Sequence, residues 1–312
     1  MNPVSPEAAQ VVASAWRDQA VWSAAAGRLK AELDLWRRRA AVGGVLGAML
    51  ATAATASAAA GNAWWWPRML ASLAGALALA VVPYVSKTKV SSERVRAWVR
   101  ARSASEALKE TIYRYLLGAA PFGADAPASE LIRRCQLIKA RVEDLGAAVA
   151  AITPPTKARP LSMTVDDYVH GRVNDQVDGY YYPKAAENAL AAKRLQRLEF
   201  ALGLLAVALG AAAGAAVATG VTGLAMLAPW VGVATAAAAA VTAHRAAMRY
   251  DHGAMIYFST AERLRGLRDE WLVTANRFDP PIVAAFVDNC ERAISTENEA
   301  WLAEWAGRKA AG

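Results

Sequence analysis

The chain has 312 residues, enough for two ordinary domains, and 55% of them are hydrophobic, with a mean hydropathy of +0.17. This is more apolar than a soluble protein of that size needs, so a membrane protein is the leading class. The net charge of +8 suits either nucleic acid or an anionic bilayer, so the placement of the charges must decide between them.

Four apolar segments are each long enough to cross a bilayer, which takes about twenty residues in a helix. In chain order they are 40–60, 64–85, 200–221 and 224–243. Outside them, apolar residues recur at helical intervals among alanine, leucine, arginine and glutamate, which predicts helices and no strand. The predicted fold class is therefore an all-α membrane protein with four transmembrane helices. Alanine fills much of the first, third and fourth segments, so buried hairpins of a soluble protein remain an alternative.

Basic residues flank one end of each pair of spans. Arg37, Arg38 and Arg39 precede the first span and Arg245 follows the fourth, whereas the connections near 61–68 and 219–230 contain only Arg68. This positive-inside pattern predicts a multi-pass membrane protein whose hairpin tips lie outside, with both termini and the middle region in the cytoplasm. Because the arginines cluster at membrane boundaries, nucleic acid is disfavoured as a partner.

The sequence "WWWPRML" at 64–70 opens the second span. Tryptophan favours the headgroup level, proline is tolerated in the first turn of a helix, and a long arginine side chain can extend outward to the interface. A soluble aromatic cluster is the alternative. The predicted interface anchors are Trp64, Trp65, Trp66, Arg68 and, in the other hairpin, Trp230.

Small and weakly polar residues form stripes along the spans. Glycines at helical spacing allow transmembrane helices to approach closely, either within one chain or between subunits. The predicted packing glycines are Gly43, Gly47, Gly203, Gly210 and Gly214. The candidate pore-lining residues are Thr52, Thr55, Thr235 and Thr242. Alternatively, these hydroxyl groups bond to the backbone of their own helices.

A proline-rich linker, "TPPTKARPLS" at 153–162, divides the chain into 1–152 and 163–312. Each part has a long helix, two spans, a basic helix and a last helix. The segment "SASEALKETIYRYL" at 103–116 aligns without a gap with "STAERLRGLRDEWL" at 259–272, and Cys135 lies opposite Cys290 with a slip of one residue. We therefore predict two copies of one two-span repeat.

This layout resembles the SLATT family, two-span effector domains associated with SMODS and SLOG systems. The second half, with "VNDQVDGYYY" at 173–182, is similar to the domain of unknown function that is often fused behind a SLATT unit. The resemblance implies a pore-forming or membrane-perturbing effector of a bacterial conflict system, triggered by a nucleotide sensor or nucleotidyltransferase encoded nearby. We expect it to act on the lipid bilayer as a homo-oligomer. A membrane-anchored helical scaffold or sensor is the alternative, and a transporter ranks third because the spans lack ionisable residues near their centres.

No residue pattern indicates catalysis, a cofactor or a metal. His244 and His252 share a helical face, but no acidic residue or cysteine completes a metal site there, and Asp166 and Asp167 are explained by capping at a helix start. Phosphate-binding and dinucleotide-binding motifs are absent from the sequence. We therefore predict no enzyme. The cluster "GYYYP" at 179–183 is expected to pack one helix against the other repeat, with ligand binding as the alternative.

Overall fold

The computed structural model describes residues 5–57, 65–123, 125–150, 152–154, 159–220 and 227–306, with side chains as far as residue 296. The structure is 88% helical, and the described residues contain no strand, as predicted.

The described residues of the first half form five α-helices. Pro6 occupies the first turn of the first helix, and the side-chain oxygen of Ser5 accepts a hydrogen bond from the backbone N–H of Ala8 (3.2 Å), so this helix begins with a favourable cap. The helices are α1 (Pro6–Ala56), α2 (Trp65–Thr88), α3 (Ser92–Leu116), α4 (Ala128–Ala140) and α5 (Gly146–Ala150), with a 3₁₀ turn at Glu143–Leu145 between the last two.

The second half begins with one uninterrupted helix of 55 residues, Val165–Thr219. Thr164 caps it, and Asp167 completes a capping box by accepting from the Thr164 backbone, which confirms the capping interpretation of Asp167. The elements are α6 (Val165–Tyr168), two π-helical segments (Val169–Asn174 and Val177–Tyr181), α7 (Tyr182–Thr219), α8 (Ala228–Met248), α9 (Tyr250–Val273) and α10 (Pro280–Ala306).

The helices group into two compact units, and each unit contains segments of both sequence halves. The first unit comprises the described residues of 1–31, 92–186 and 254–312, and the second comprises those of 32–91 and 187–253. The internal repeat predicted from sequence stays a prediction, because the compact units do not follow the boundary at the linker.

The first unit has a continuous core built around α3, which packs on α4 and on α10. Aromatic rings link its helices in series. Tyr113 of α3 meets Trp16 of α1 and Tyr168 of α6 edge-on, with ring centroids 5.3 Å and 5.6 Å apart, and Phe286 of α10 stacks on Trp271 of α9 at 4.5 Å. Such pairs contribute about 0.5–1.5 kcal/mol each beyond simple burial.

The second unit buries little of its apolar surface. Leu77, Phe200, Val207 and Val217 are 67–79% exposed, and Leu73 of α2 and Leu204 of α7 are each 60% exposed. Contiguous apolar surface of this extent marks an interaction with lipid or with other proteins. Among the described residues, three helices are long and apolar enough to cross a membrane: Pro6–Ala56, Trp65–Thr88 and Val165–Thr219.

Helix α8, which contains most of the predicted fourth span, is not one of these three helices. Alanine dominates its sequence, and because His244 and Arg245 lie near its end, the uncharged stretch of this helix, 228–243, is shorter than the about twenty residues that a spanning helix takes. Positions 224–226 of that predicted span lie outside the described residues. The membrane class is thus supported, whereas the count of four spans stays a prediction.

Candidate functional site

Two glycines, Gly47 and Gly75, lie where α1 and α2 contact each other. A Cβ atom added to Gly75 would lie 2.9 Å from both the backbone nitrogen of Ala51 and the carbonyl oxygen of Gly47, and one added to Gly47 would lie 2.9 Å from Cγ of Leu79. The backbones of the two helices therefore touch at this point, and only glycine fits. Gly47 belonged to the predicted glycine stripe. Sequence reasoning missed Gly75, although it is also a small residue within an apolar span.

The other predicted packing glycines have more room within the chain. No atom lies within 4 Å of a Cβ built on Gly43, Gly203 or Gly214, and Gly210 meets only Cγ2 of Val231, at 4.0 Å. No contact in the described residues demands glycine at these four positions. Their role in packing between copies stays a prediction.

The candidate pore-lining threonines mostly bond to their own helices. The hydroxyl of Thr55 donates to the carbonyl oxygen of Thr52 (2.8 Å), that of Thr235 to Val231 (2.8 Å), and that of Thr242 to Ala238 (3.0 Å). Thr55, Thr235 and Thr242 are exposed, and Thr52 is half-buried. The geometry matches the alternative of back-bonding, and it leaves a pore-lining role in an assembly as a prediction.

A polar contact that sequence reasoning missed joins α7 to α8. The hydroxyl of Thr242 also donates to Oε1 of Glu199 (2.8 Å), and Nη1 of Arg245 lies 3.6 Å from the other carboxylate oxygen. Arg245 also pairs with Asp251 (3.1 Å). These charges lie at the ends of the apolar stretches, where the basic flank had been predicted, and they tie the two helices of this hairpin together.

The predicted interface anchors are partly exposed. Trp65 and Trp66 are 60% and 55% exposed, Trp230 is half-buried, and Arg68 donates a long hydrogen bond to the carbonyl oxygen of Ser57 (3.4 Å). Trp64 lies outside the described residues. Exposed indole rings at the start of an apolar helix are compatible with the headgroup-level position that the sequence predicts.

The first unit contains a fully buried ion pair. Arg172, in the first π-helical segment, donates from Nε to Oε1 of Glu291 (3.0 Å) and from Nη2 to Oε2 (2.8 Å), and the hydroxyl of Tyr168 donates to the same carboxylate (2.9 Å). The side chains of Arg172 and Glu291 are 1% and 0% exposed. Burial by itself raises the pKa of Glu291, but the charge of Arg172 and these hydrogen bonds outweigh it and hold the pKa below its usual value.

The remaining guanidinium nitrogen of Arg172 is less well satisfied. Nη1 has no hydrogen-bond partner among the described residues, and the nearest carboxylate oxygen, on Glu106, is 3.7 Å away. The guanidinium lies over the ring of Tyr113, 5.1 Å from its centroid. Burial, followed by the charge of Arg172, lowers the pKa of the neighbouring Lys109 to about 8. The guanidinium of Arg172 is thus hydrogen-bonded through Nε and Nη2, whereas Nη1 has no hydrogen bond within the described residues.

Tyr180–Tyr182 pack on α9, which belongs to the same half of the chain. The rings of Tyr180 and Tyr181 lie 5.9 Å and 6.1 Å from that of Tyr257, and the hydroxyl of Tyr182 donates to Glu262. These contacts are made within the second half of the chain, and packing of the cluster against the other repeat stays a prediction. The contacts with α9 arise because α9 follows the long helix through the α7–α8 hairpin and returns alongside it.

No described group of three or more histidine, cysteine, aspartate or glutamate side chains is placed to hold a metal ion. Cys135 and Cys290 are buried free thiols. A cavity of about 410 Å³ lies between α1 and α4, with Val11, Ala15 and Leu131 among its apolar lining residues and an ion pair between Lys139 and Asp18 at its edge (2.6 Å).

Comparison with known families gives two matches. Residues 168–301 match the SMODS and SLOG-associating 2TM effector domain 1, and residues 20–130 match a protein family of unknown function, DUF4231. No curated protein and no solved structure gave a significant match. The effector domain is thus in the second half and the domain of unknown function in the first, the reverse of the order expected. The resemblance to the SLATT family is confirmed for residues 168–301, which match its two-span effector domain.

Proposed function

We propose that this protein is a non-enzymatic effector of the bacterial inner membrane that perturbs or permeabilises the bilayer as a homo-oligomer. The observation that carries the proposal is the apolar surface of the second unit. In each of the three candidate spanning helices, only 11% of the most apolar 18-residue stretch is buried within the chain. In water that surface would aggregate, whereas in lipid it is satisfied.

The shape and chemistry of the hairpins support a perturbing role more than a transport role. The α1–α2 contact is made by backbone against backbone, and the residues that meet there, Gly47, Ala51, Gly75 and Leu79, are uncharged. A transporter generally places ionisable groups or broken helices near the bilayer midplane. The charged contact between α7 and α8, Glu199 with Arg245, lies at the end of that hairpin instead.

We further propose that both termini lie in the cytoplasm and that the trigger comes from a nucleotide sensor or nucleotidyltransferase encoded nearby. The basic flanks of the spans support the orientation. The SLATT match supports the trigger, because domains of this description associate with SMODS and SLOG systems. Nucleic acid is not proposed as a partner.

The proposal is tested by expressing the full chain in bacteria and recording membrane potential with a voltage-sensitive dye, alongside cell fractionation. We expect the protein to fractionate with the inner membrane and the potential to collapse when the neighbouring genes are active. A variant with Thr52→Leu and Thr55→Leu should insert normally and lose part of the effect if these residues meet water in the assembly. If the inserted, oligomeric wild type leaves the potential unchanged, the scaffold alternative replaces the effector.

A further inference from the structure

The long helix Val165–Thr219 contains two rare backbone segments at its N-terminal end. Val169–Asn174 and Val177–Tyr181 are π-helical, and only Asp175 and Gln176 separate them. A π-helical hydrogen bond reaches five residues along the chain, one more than in an α-helix, so each π turn accommodates about one extra residue. Such turns occur mostly singly, and frequently at functional sites.

Each segment also contains one glycine that packing does not require. A Cβ atom built on Gly171 or Gly179 has no atom within 4 Å. Glycine inside a helix costs about 0.5–1 kcal/mol relative to alanine, because it loses more backbone entropy on folding. Glycine therefore keeps the backbone of both segments flexible, although the space around each glycine would accept a residue with a side chain.

Side-chain contacts to other helices fix the present arrangement. Arg172, inside the first segment, is held by Glu291 of α10, which is 119 residues away in the sequence. Tyr182 follows the second segment directly and is held by Glu262 of α9. Nη1 of Arg172 lacks a hydrogen bond among the described residues and lies 3.7 Å from a carboxylate oxygen of Glu106. Glu106 is therefore an alternative partner for Arg172.

We propose that the two π-helical segments form a register switch in this helix. When one π turn becomes α-helical, the helix beyond it turns by about 100° and advances by about 1.5 Å, the increments of one residue. Helix α7 then presents a different face to the neighbouring membrane helices. A signal acts on this equilibrium by binding one arrangement more tightly than the other, for example by moving α10 and with it Glu291.

The effect of the switch on cells rests on the proposed effector function, whereas the change of helix register is tested separately. Deleting Gly179 removes the extra residue, so the segment becomes α-helical while the flanking contacts keep their register. Deleting Gly266 from α9 is the matched control. This glycine also has no atom within 4 Å of a Cβ, but it lies in ordinary α-helix, where a deletion rotates every residue beyond it.

We would measure thermal unfolding and amide hydrogen exchange of the full chain in lipid nanodiscs. The expected result is that residues 169–181 of the wild type exchange at least tenfold faster than α9. Deletion of Gly179 should slow this exchange and leave the melting temperature near that of the wild type, while deletion of Gly266 should lower it. Exchange in 169–181 as slow as in α9, or equal damage from the two deletions, would overturn the switch.

Growth arrest in cells gives the second readout. The folded variant lacking both Gly171 and Gly179 is expected to lose the arrest that the wild type causes, because neither π-helical segment then has an extra residue to release. If that variant arrests growth as strongly as the wild type, the switch is refuted. If the wild type itself causes no arrest, the effector proposal fails, and the exchange experiment alone decides whether the register switch exists.

Discussion

Replacing Glu291 with glutamine tests how the first unit is held together. The substitution keeps the shape of the side chain and an oxygen that accepts hydrogen bonds from Arg172 and Tyr168, but it removes the negative charge. The guanidinium of Arg172, which is 1% exposed, is then a buried cation that has lost its hydrogen-bonded counter-ion and keeps only Glu106, 3.7 Å away.

The size of the effect follows from that burial. Removing one partner of a buried ion pair costs about 3–5 kcal/mol, because the remaining charge has lost both its water and its partner. For a unit of this size, 1 kcal/mol shifts the melting temperature by about 2–4 °C, so we expect a fall of about 10 °C. Replacing both residues together, Arg172→Met with Glu291→Leu, should cost far less, because neither charge is then buried.

The assay is thermal unfolding followed by circular dichroism in detergent, with Glu130→Gln as the matched control. Glu130 pairs with Arg133 on an exposed face of α4, so losing its charge should leave the melting temperature almost unchanged. Because the pKa of Glu291 is held below its usual value, its contribution is present above about pH 4.3 and is lost as the pH falls through the folded-state pKa. The difference between wild type and Glu291→Gln should therefore shrink on acidification.

Two results would refute this reasoning. One is a Glu291→Gln variant that melts within error of the Glu130→Gln control, which would mean that Arg172 finds water or another partner. The other is a double variant, Arg172→Met with Glu291→Leu, as unstable as Glu291→Gln alone, which would place the defect in packing and not in charge.

Three further predictions concern other sites. Since burial lowers the pKa of Lys109 to about 8, the unfolded chain binds more protons above that pH, so stability should rise by up to about 3 kcal/mol between pH 8 and 10.5, and a pH titration of Lys109→Met should show no such rise. Gly75→Ala should lower the melting temperature in detergent, because its Cβ would meet the α1 backbone at 2.9 Å, whereas Gly43→Ala should not; equal melting temperatures would contradict the close contact. Burial raises the pKa of Cys135 to about 11 and that of Cys290 further, so a thiol reagent at pH 8 should label neither thiol until the protein is unfolded, and rapid labelling of the native chain would show that they are accessible.

Much of the architecture could be predicted from sequence because helices and membrane segments are local features. Apolar runs of about twenty residues and intervals of three and four residues fix where helices form, whatever they later contact. The capping role of Asp167 was equally local, since its partner Thr164 is three residues away. The SLATT resemblance also followed from layout, although the two halves were assigned in the wrong order.

The helix boundaries show where local reasoning stops. From the sequence, the helix before residue 40 is predicted to be separate from the first span, and the helix before residue 200 from the third, because the composition changes at both places. The structure continues each pair as one helix, α1 and Val165–Thr219. A change from charged to apolar residues alters the solvent that a helix prefers but breaks no backbone hydrogen bond.

What only the tertiary structure decided is which distant side chains meet. In the sequence Arg172 is one of many arginines and Glu291 one acid in a tail helix; docking of α10 beside the first π-helical segment makes them a buried pair. Gly75 likewise becomes indispensable only where α2 touches the backbone of α1. The sequence by itself determined the helices and their affinity for lipid, because both depend on near neighbours along the chain. The ion pair, the glycine contact and the π-helical register depend on how helices dock, which residue periodicity does not encode.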